Sequence, residues 1–183
     1  MSLPTGITQG TWNLDPAHSD ISFSVRHAGI SKVRGSFKDI NAQLNVGETL
    51  EDSSVTAELK TASIDTRDEN RDGHLKSGDF FDSENFPAIT FKSTEISGSG
   101  GSYDMTGELT IRDTTSTVQV EVEFNGVAID PFGNTRAGFS GETTINRKDF
   151  GLTWNAALET GGFLVGDKIT ISIDASFIAP KAD

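Results

Sequence analysis

The chain has 183 residues and carries 27 Asp and Glu against 15 Lys and Arg, a formal net charge of -12. A chain of this length can form one domain with a full core, so we expect a single domain over residues 1–183 with its core at about 11–178. Cysteine is absent, which excludes thiol catalysis and thiolate metal sites. The acidic balance argues against a nucleic acid partner, because a phosphate backbone is bound by clustered Lys and Arg.

Apolar and polar residues alternate with a period of two along most of the chain, which predicts half-buried strands. In chain order, the alternating segments are Ile21 to His27, Ile40 to Val46, Val55 to Leu59, Ile89 to Phe91, Leu109 to Ile111, Val118 to Phe124 and Ile169 to Phe177. Turn residues such as Asn125-Gly126 separate these segments at hairpin distances. We therefore predict an all-β fold of eight or nine antiparallel strands.

An open sheet of this many strands would expose two edges and one apolar face, so closure into a barrel or a sandwich is expected. Eight strands closed on themselves leave an interior wide enough for side chains or for one ligand. The aromatic residues are mostly Phe, with 12 Phe against 2 Trp and 1 Tyr. These rings either fill the core of a sandwich or line the lumen of a barrel that accepts a long apolar ligand.

Residues 66–86 lack the period-two alternation, and a short helix with a loop is predicted there, near residues 66–80. Within it, Asp68-x-Asn70-x-Asp72-Gly73 has the spacing of an EF-hand calcium loop. An EF-hand needs a helix on each side, whereas the flanking segments here have strand periodicity. We therefore expect no metal site, with adventitious calcium binding as the weaker alternative.

The histidines His18, His27 and His74 are scattered, and no pair has the close spacing that presets two metal ligands. Asp15, His18 and Ser19 have the residue types of a catalytic triad, but such close neighbours rarely converge, and no Gly-x-Ser-x-Gly turn is present. Phosphate-loop and dinucleotide fingerprints are absent as well. We expect no catalytic residue and no cofactor.

Four motifs together resemble the YceI family, the lipocalin-like polyisoprenoid-binding proteins, and the resemblance runs from about Thr11 to Phe177. The motifs are Trp12-Asn13-Leu14-Asp15-Pro16-Ala17-His18-Ser19 with Val33-Arg34-Gly35-Ser36-Phe37, Arg71-Asp72-Gly73-His74-Leu75 with Asp79-Phe80-Phe81-Asp82, Gly107-Glu108-Leu109-Thr110-Ile111-Arg112, and Ile145-Asn146-Arg147-Lys148-Asp149-Phe150-Gly151. The resemblance implies an extended eight-stranded antiparallel lipocalin-like barrel with a helical insertion, enclosing an elongated apolar cavity for an isoprenoid chain.

A lumen of this kind predicts two sets of binding residues. The lining is expected to comprise Ile21, Phe23, Val25, Phe37, Leu59, Phe80, Phe81, Phe91, Leu109, Val120, Val122, Phe124, Phe139 and Trp154. Polar residues for an anionic head group are expected to be His18, His27, Arg71, His74 and Arg147. Alternation favours His27 over Arg26 as the inward-facing side chain at the end of its strand.

The function expected is noncatalytic binding, sequestration or transport of a polyisoprenoid, such as a polyprenyl diphosphate or isoprenoid quinone, or of a similar long-chain amphiphile. Two alternatives stay open: an enzyme or redox partner acting on an isoprenoid quinone, and an acidic scaffold with a filled barrel that binds proteins. The first residues lack the basic and apolar regions of a signal peptide, so a soluble cytoplasmic protein without stable membrane insertion is expected, whereas relatives with a leader would be exported. An edge strand or barrel flank leaves room for a homodimer.

Overall fold

A computed structural model describes residues 1–159 and 161–181, and within these ranges it contains eleven strands and one α-helix. The elements are β1 (Gly10–Leu14), β2 (Asp20–His27), β3 (Ser31–Phe37), β4 (Ile40–Val46), β5 (Ser54–Lys60), β6 (Ile64–Asp65), α1 (Glu69–Lys76), β7 (Ala88–Ser99), β8 (Ser102–Ile111), β9 (Thr114–Ile129), β10 (Thr135–Asn146) and β11 (Val165–Ile178). Every strand pairing in this part of the chain is antiparallel.

The sheet closes into an eight-stranded barrel because β1 pairs with β4 on one side and with β11 on the other. The closed ring runs β1, β4, β5, β7, β8, β9, β10 and β11, and the three remaining strands extend it from β11 in the order β2, β3 and β6. The eight-stranded antiparallel barrel with a short helical insertion, predicted from the sequence, is confirmed.

The three extra strands are continuations of long strands that are interrupted in the middle. Both β1 and β2 pair with β11, and the 3-10 turn Pro16–His18 separates them, with the Asp15 carboxylate accepting a hydrogen bond from the Ala17 N–H. Two residues separate β3 from β4, and a second 3-10 turn, Thr61–Ser63, separates β5 from β6. The interruptions bend the strands, which helps one sheet curve into a closed barrel.

The helical insertion begins where the pairing of β5 with β7 ends, at Lys60 and Ala88. Asp68 is the N-cap of α1 and accepts a hydrogen bond from the Arg71 N–H at 3.1 Å, and Asp72 accepts one from the Thr66 N–H at 2.9 Å. The acidic run with EF-hand spacing therefore forms the start of a helix. In the described ranges, no group of three or more His, Asp or Glu side chains is placed to hold a metal ion.

The loop after α1 folds back over one end of the barrel. Phe81 N–H donates to the Leu75 carbonyl at 2.9 Å, and the ring of Phe80 is buried. Arg112, in the turn between β8 and β9, donates from Nη1 to the carbonyls of Phe80 and Gly78 at 3.3 and 3.5 Å. The insertion is thus attached to the barrel wall.

The opposite end of the barrel is covered by residues 1–9. Ile7 is buried, and the fully buried Trp12 donates from its indole nitrogen to the Thr8 carbonyl at 2.9 Å. The Leu50 N–H donates to the Met1 carbonyl at 3.0 Å. These contacts hold the N-terminal segment across the barrel end that lies farthest from α1.

An ion-pair cluster ties the start of the chain to the hairpin between β9 and β10. Arg136 donates to Asp15 at 2.7 Å and to Asp130 at 2.8 Å. Arg136 lowers the pKa of both carboxyl groups, and the pKa of Asp130 falls to about 2 because backbone N–H groups of Asn134 and Phe132 also donate to it. The cluster therefore stabilises the fold through two carboxylates whose pKa values lie below the usual range.

In the described residues, no helix is long and apolar enough to cross a membrane.

Candidate ligand-binding lumen

The barrel interior contains two adjoining cavities. The proximal chamber, about 440 Å³, lies beneath α1, and the distal chamber, about 220 Å³, lies beneath the N-terminal segment. Five apolar residues line both chambers and form a shared waist: Ile21, Leu59, Ile89, Leu109 and Ile171. The proximal chamber alone is within the range of about 300–1,000 Å³ that is typical of small-molecule sites.

The lumen is long because its lining continues along whole strands. On β11 alone, the lining runs from Val165 in the proximal chamber to Phe177 in the distal chamber. Twelve residue steps of roughly 3.3 Å span about 40 Å of strand, or about 30 Å along the barrel axis at a strand tilt near 40°. A single extended apolar chain fits this shape better than a compact ligand does.

Thirteen of the fourteen residues predicted to line the lumen do line a chamber. The distal chamber includes Phe91, Val120, Val122 and Phe139; the proximal chamber includes Phe23, Val25, Phe37, Phe80, Phe81 and Trp154; Ile21, Leu59 and Leu109 belong to the waist. Phe124 lines neither chamber, and its ring packs on that of Phe139 at a centroid distance of 5.4 Å. Several inward-facing rings, such as Phe91 and Phe139, remain only half-buried, because they border a cavity instead of packed side chains.

Two glycines keep the lumen open by letting Phe rings lie against the wall. The Phe23 ring covers Gly35, its partner across β2 and β3, so that a Cβ at Gly35 would lie 2.5 Å from the ring. The Phe91 ring covers Gly107 of β8 in the same way. A side chain at either glycine would push its ring away from the wall. The sequence shows the glycines and the rings but not this pairing, which depends on strand register.

The proximal chamber opens at a mouth edged by polar side chains. Exposed or half-buried Arg26, His27, Asn70, Arg71 and His74 contribute to its lining. Alternation favours His27 alone, yet Arg26, next to it at the end of β2, also contributes to the lining. Both cationic and neutral donors thus meet at the edge of an apolar chamber.

Arg71 is oriented by its neighbours at the mouth. Its Nε donates to the Thr66 hydroxyl at 2.7 Å and its Nη2 to the Thr66 carbonyl at 2.6 Å. The Nη1 group makes no hydrogen bond within the described residues. The guanidinium is therefore held by one edge and can offer another edge to an anion.

His74 belongs to an aromatic cluster that covers the chamber. Its Nε2 lies 2.9 Å from an Asp79 carboxylate oxygen. Its ring meets Trp154 and Phe80 edge to face, at centroid distances of 4.6 and 5.2 Å. The cluster joins α1 to the segment before β11, so the two covering elements of the mouth are packed against each other.

Arg147 lines the proximal chamber, but its donors are already engaged. The side chain is 2% exposed and donates to the carbonyls of Leu152, Trp154 and Gly166 at 2.7 to 2.9 Å. Burial lowers the pKa of its guanidinium, which a nearby Asp167 opposes. This arrangement attaches the segment 152–154 to the start of β11 and leaves little of the guanidinium for a ligand.

The structure places His18 outside the lumen. Its side chain is 68% exposed and pairs with Asp15 through Nδ1 at 2.8 Å, near the Arg136 cluster. Of the five predicted head-group residues, the structure therefore brings His27, Arg71 and His74 to the mouth, buries Arg147 in backbone contacts, and keeps His18 apart.

Several lining residues were not predicted, because they lie outside the strands. Leu75 of α1, Leu152 and Leu164 line the proximal chamber, and Leu3 and Ile7 line the distal chamber. The one signal in the sequence was apolar residues in otherwise polar loops. A search for period-two alternation could not find them, since neither the helix that carries Leu75 nor the loops have that period.

Comparisons with known proteins agree with this architecture. The family model for the YceI-like domain matches residues 12–177. The chain belongs to the YceI-like family. A UPF0312 protein of Staphylococcus epidermidis is 39% identical over 168 residues, covering 91% of this chain and 96% of that protein. A UPF0312 protein of Staphylococcus aureus is 39% identical over 171 residues, with the same coverage.

Solved structures of similar proteins show the same barrel. Burkholderia cenocepacia BcnA is 25% identical with a TM-score of 0.77, over 89% of this chain and 98% of that one. The Campylobacter jejuni YCEI protein is 30% identical with a TM-score of 0.72, over 92% and 97%. A polyisoprenoid binding domain from Saccharophagus degradans has a TM-score of 0.70 over 92% and 98%, and at 12% identity it shares the fold. The match to the family model begins at the fully buried Trp12 and ends at Phe177, which lines the distal chamber.

Proposed function

We propose that this YceI-like protein binds the apolar chain of a polyisoprenoid, or of a similar long-chain amphiphile, inside the lumen, and that it does so without catalysing a reaction. The observation that carries the proposal is the pair of adjoining chambers, whose shared waist consists of five aliphatic side chains. The Saccharophagus degradans neighbour, described as a polyisoprenoid binding domain, supports the same ligand class.

The driving force is burial of the ligand tail. Each methylene moved from water into an apolar site contributes roughly 0.8 kcal/mol, so a few isoprene units supply ample affinity from water. A tail that starts in a bilayer gains little from this exchange, because the lipid is already apolar. Selection among membrane lipids must then come from the shape of the lumen and from contacts at the mouth.

The head group lies at the mouth of the proximal chamber in this proposal. Arg71 provides a cationic guanidinium there, His27 provides an imidazole, and Asn70 adds an amide. Guanidinium binds phosphate or carboxylate oxygens in a charge-assisted geometry, and an amide or imidazole can bind a quinone carbonyl. The tail then runs past the waist toward the N-terminal segment.

Organic extraction of the purified protein followed by mass spectrometry tests the ligand class directly. We expect an apolar chain to be recovered in stoichiometric amount. The delipidated protein should bind geranylgeraniol saturably, with a change in tryptophan fluorescence that is lost in Trp154→Phe, because Trp154 lines the chamber and Trp12 is buried in the wall. Recovery of no lipid, together with no saturable binding of any isoprenoid alcohol, would overturn the proposal.

A further inference from the structure

Two exposed apolar side chains stand at the rim of the mouth. Ile30, at the tip of the turn between β2 and β3, is 88% exposed, and Phe163 is 64% exposed. The Ala28 N–H donates to the Leu164 carbonyl at 2.7 Å, so the two turns that carry these side chains are neighbours. Leu164 itself lines the proximal chamber, which places both apolar tips next to its opening.

A row of cations lies on the hairpin that carries Ile30. Arg26 faces Lys32 directly across β2 and β3, and Arg34 lies two residues further along the same face. Like charges directly opposite each other destabilise a hairpin, so this arrangement is not one that folding favours. In the described part of the chain, none of the three takes part in an ion pair.

We propose that this rim patch, formed by Arg26, Lys32, Arg34, Ile30 and Phe163, docks the mouth onto an anionic lipid membrane. The apolar tips enter the interface, and the cations meet anionic head groups, as in peripheral membrane proteins. The inference rests on the proposed function, since it supplies the route by which a bilayer lipid reaches the lumen without crossing water.

The net charge of -12 does not prevent this contact. At physiological ionic strength, protein charges that lie farther from the membrane surface than a Debye length of roughly 8 Å are largely screened. The electrostatic interaction with the membrane therefore depends mainly on the side chains nearest to it. The mouth also carries acidic side chains: Asp68 lines the chamber, Asp79 pairs with His74, and Asp167 pairs with Lys148. The unpaired cations are on the hairpin of β2 and β3, so this side of the mouth is the part that an anionic surface would contact most favourably.

Flotation of the full chain with lipid vesicles tests the docking. We expect binding to phosphatidylcholine vesicles that contain phosphatidylserine, and release at high salt. Lys32→Gln with Arg34→Gln, two cations that do not line the chamber, should weaken binding about thirtyfold, from roughly fivefold for each cation near an anionic surface. Ile30→Ser with Phe163→Ser should weaken it at least tenfold, because the interface no longer gains apolar surface.

Two matched variants control for charge and for apolar surface. Lys60→Gln with Lys92→Gln makes the same change in net charge on exposed positions of β5 and β7, and Ile129→Ser with Phe132→Ser removes exposed apolar side chains at the hairpin between β9 and β10, at the opposite end of the barrel. Both should bind like the unmodified chain. If the control variants lose as much vesicle binding as the rim-patch variants, or if binding does not depend on the phosphatidylserine content of the vesicles, the rim patch is refuted. An acidic protein as the true occupant would leave the chain unbound to vesicles, which also refutes it.

A separate measurement distinguishes docking from lumen binding. Geranylgeraniol affinity in vesicle-free buffer should be unchanged in both rim-patch variants, while the transfer of geranylgeraniol from vesicles to protein should slow. If vesicles bind but geranylgeraniol does not, the proposed function fails and the docking surface stands. If geranylgeraniol binds but the transfer rate is the same in all variants, the docking surface fails.

Discussion

Gly141 of β10 offers a way to shorten the lumen without touching its mouth. It lines the distal chamber, and a Cβ there would lie 3.4 Å from the side chains of Ile173 and Val120. Its φ is outside the left-handed region, so a larger residue can keep the same backbone. Gly141→Leu therefore projects an aliphatic side chain into the distal chamber, where the far end of a long ligand tail would lie.

The expected effect depends on ligand length. Leu adds four carbons, and if these displace a similar number of methylene groups of the ligand at roughly 0.8 kcal/mol each, the long-chain complex loses about 3 kcal/mol, on the order of a hundredfold in affinity. A short ligand held between the mouth and the waist loses nothing. We therefore expect solanesol binding to fall steeply and farnesol binding to stay unchanged.

Competition binding with both alcohols, together with urea unfolding, provides the assay. An apolar side chain that fills a cavity should leave the free energy of unfolding unchanged or raise it, which separates lost binding from lost folding. Glu142→Leu, one residue along and exposed on the outside of the barrel, is the matched control and should bind both alcohols normally. Unchanged solanesol affinity in Gly141→Leu would show that the tail does not reach the distal chamber, and an equal loss for farnesol would contradict the proposed orientation.

Three further substitutions test the other contacts. Because the pKa of Asp130 is held at about 2 in the folded chain, against about 4 when unfolded, stability should fall as pH drops through this window. Arg136→Gln should make that fall shallower and lower the free energy of unfolding at neutral pH, as followed by urea denaturation. Arg147→Lys should cost about 2–4 kcal/mol, because an ammonium cannot reach all the carbonyls that the guanidinium binds; an unchanged unfolding midpoint with weaker isoprenoid binding would instead make Arg147 a ligand contact. Trp154→Ala should speed ligand release to acceptor vesicles several-fold by opening the aromatic cover, whereas release as slow as in Trp154→Phe would exclude a covering role.

Seven of the eleven described strands were predictable from alternation, because each buries one face and burial of one face imposes period two on the residues. The same alternation identified Val120, Val122 and Ile21 as inward-facing, since no other strand orientation hides them. The insertion was predictable from the loss of that period. The N-cap of α1 at Asp68 depends on a contact with Arg71, only three residues away, so the sequence alone contains the information for it.

The mouth was harder to predict because its chemistry depends on contacts between distant segments. Arg147 looked like a head-group residue, yet the carbonyls that occupy it belong to Leu152, Trp154 and Gly166, whose approach follows from how β11 begins. His18 sits in a motif that resembles the family's opening, but the 3-10 turn directs it outward to Asp15. The residue types alone do not distinguish a donor that is free from one that is engaged.

The surface charge of the protein affects how a lipid enters the lumen, because it influences which side of the barrel meets a membrane. A tail moving from bilayer to lumen exchanges one apolar environment for another, so the tail alone gives little selectivity and a high barrier lies in the aqueous step between them. A protein that adhered to membranes over its whole surface would shorten that step but would seldom present its mouth. In the proposed docking, the acidic net charge combined with unpaired cations at Arg26, Lys32 and Arg34 favours contact through the side of the barrel from which a lipid can enter. Replacing the exposed wall residues Glu121, Glu123 and Asp174 by Lys should therefore increase binding to anionic vesicles. It should also lower the rate at which each bound protein molecule takes up geranylgeraniol from the vesicle.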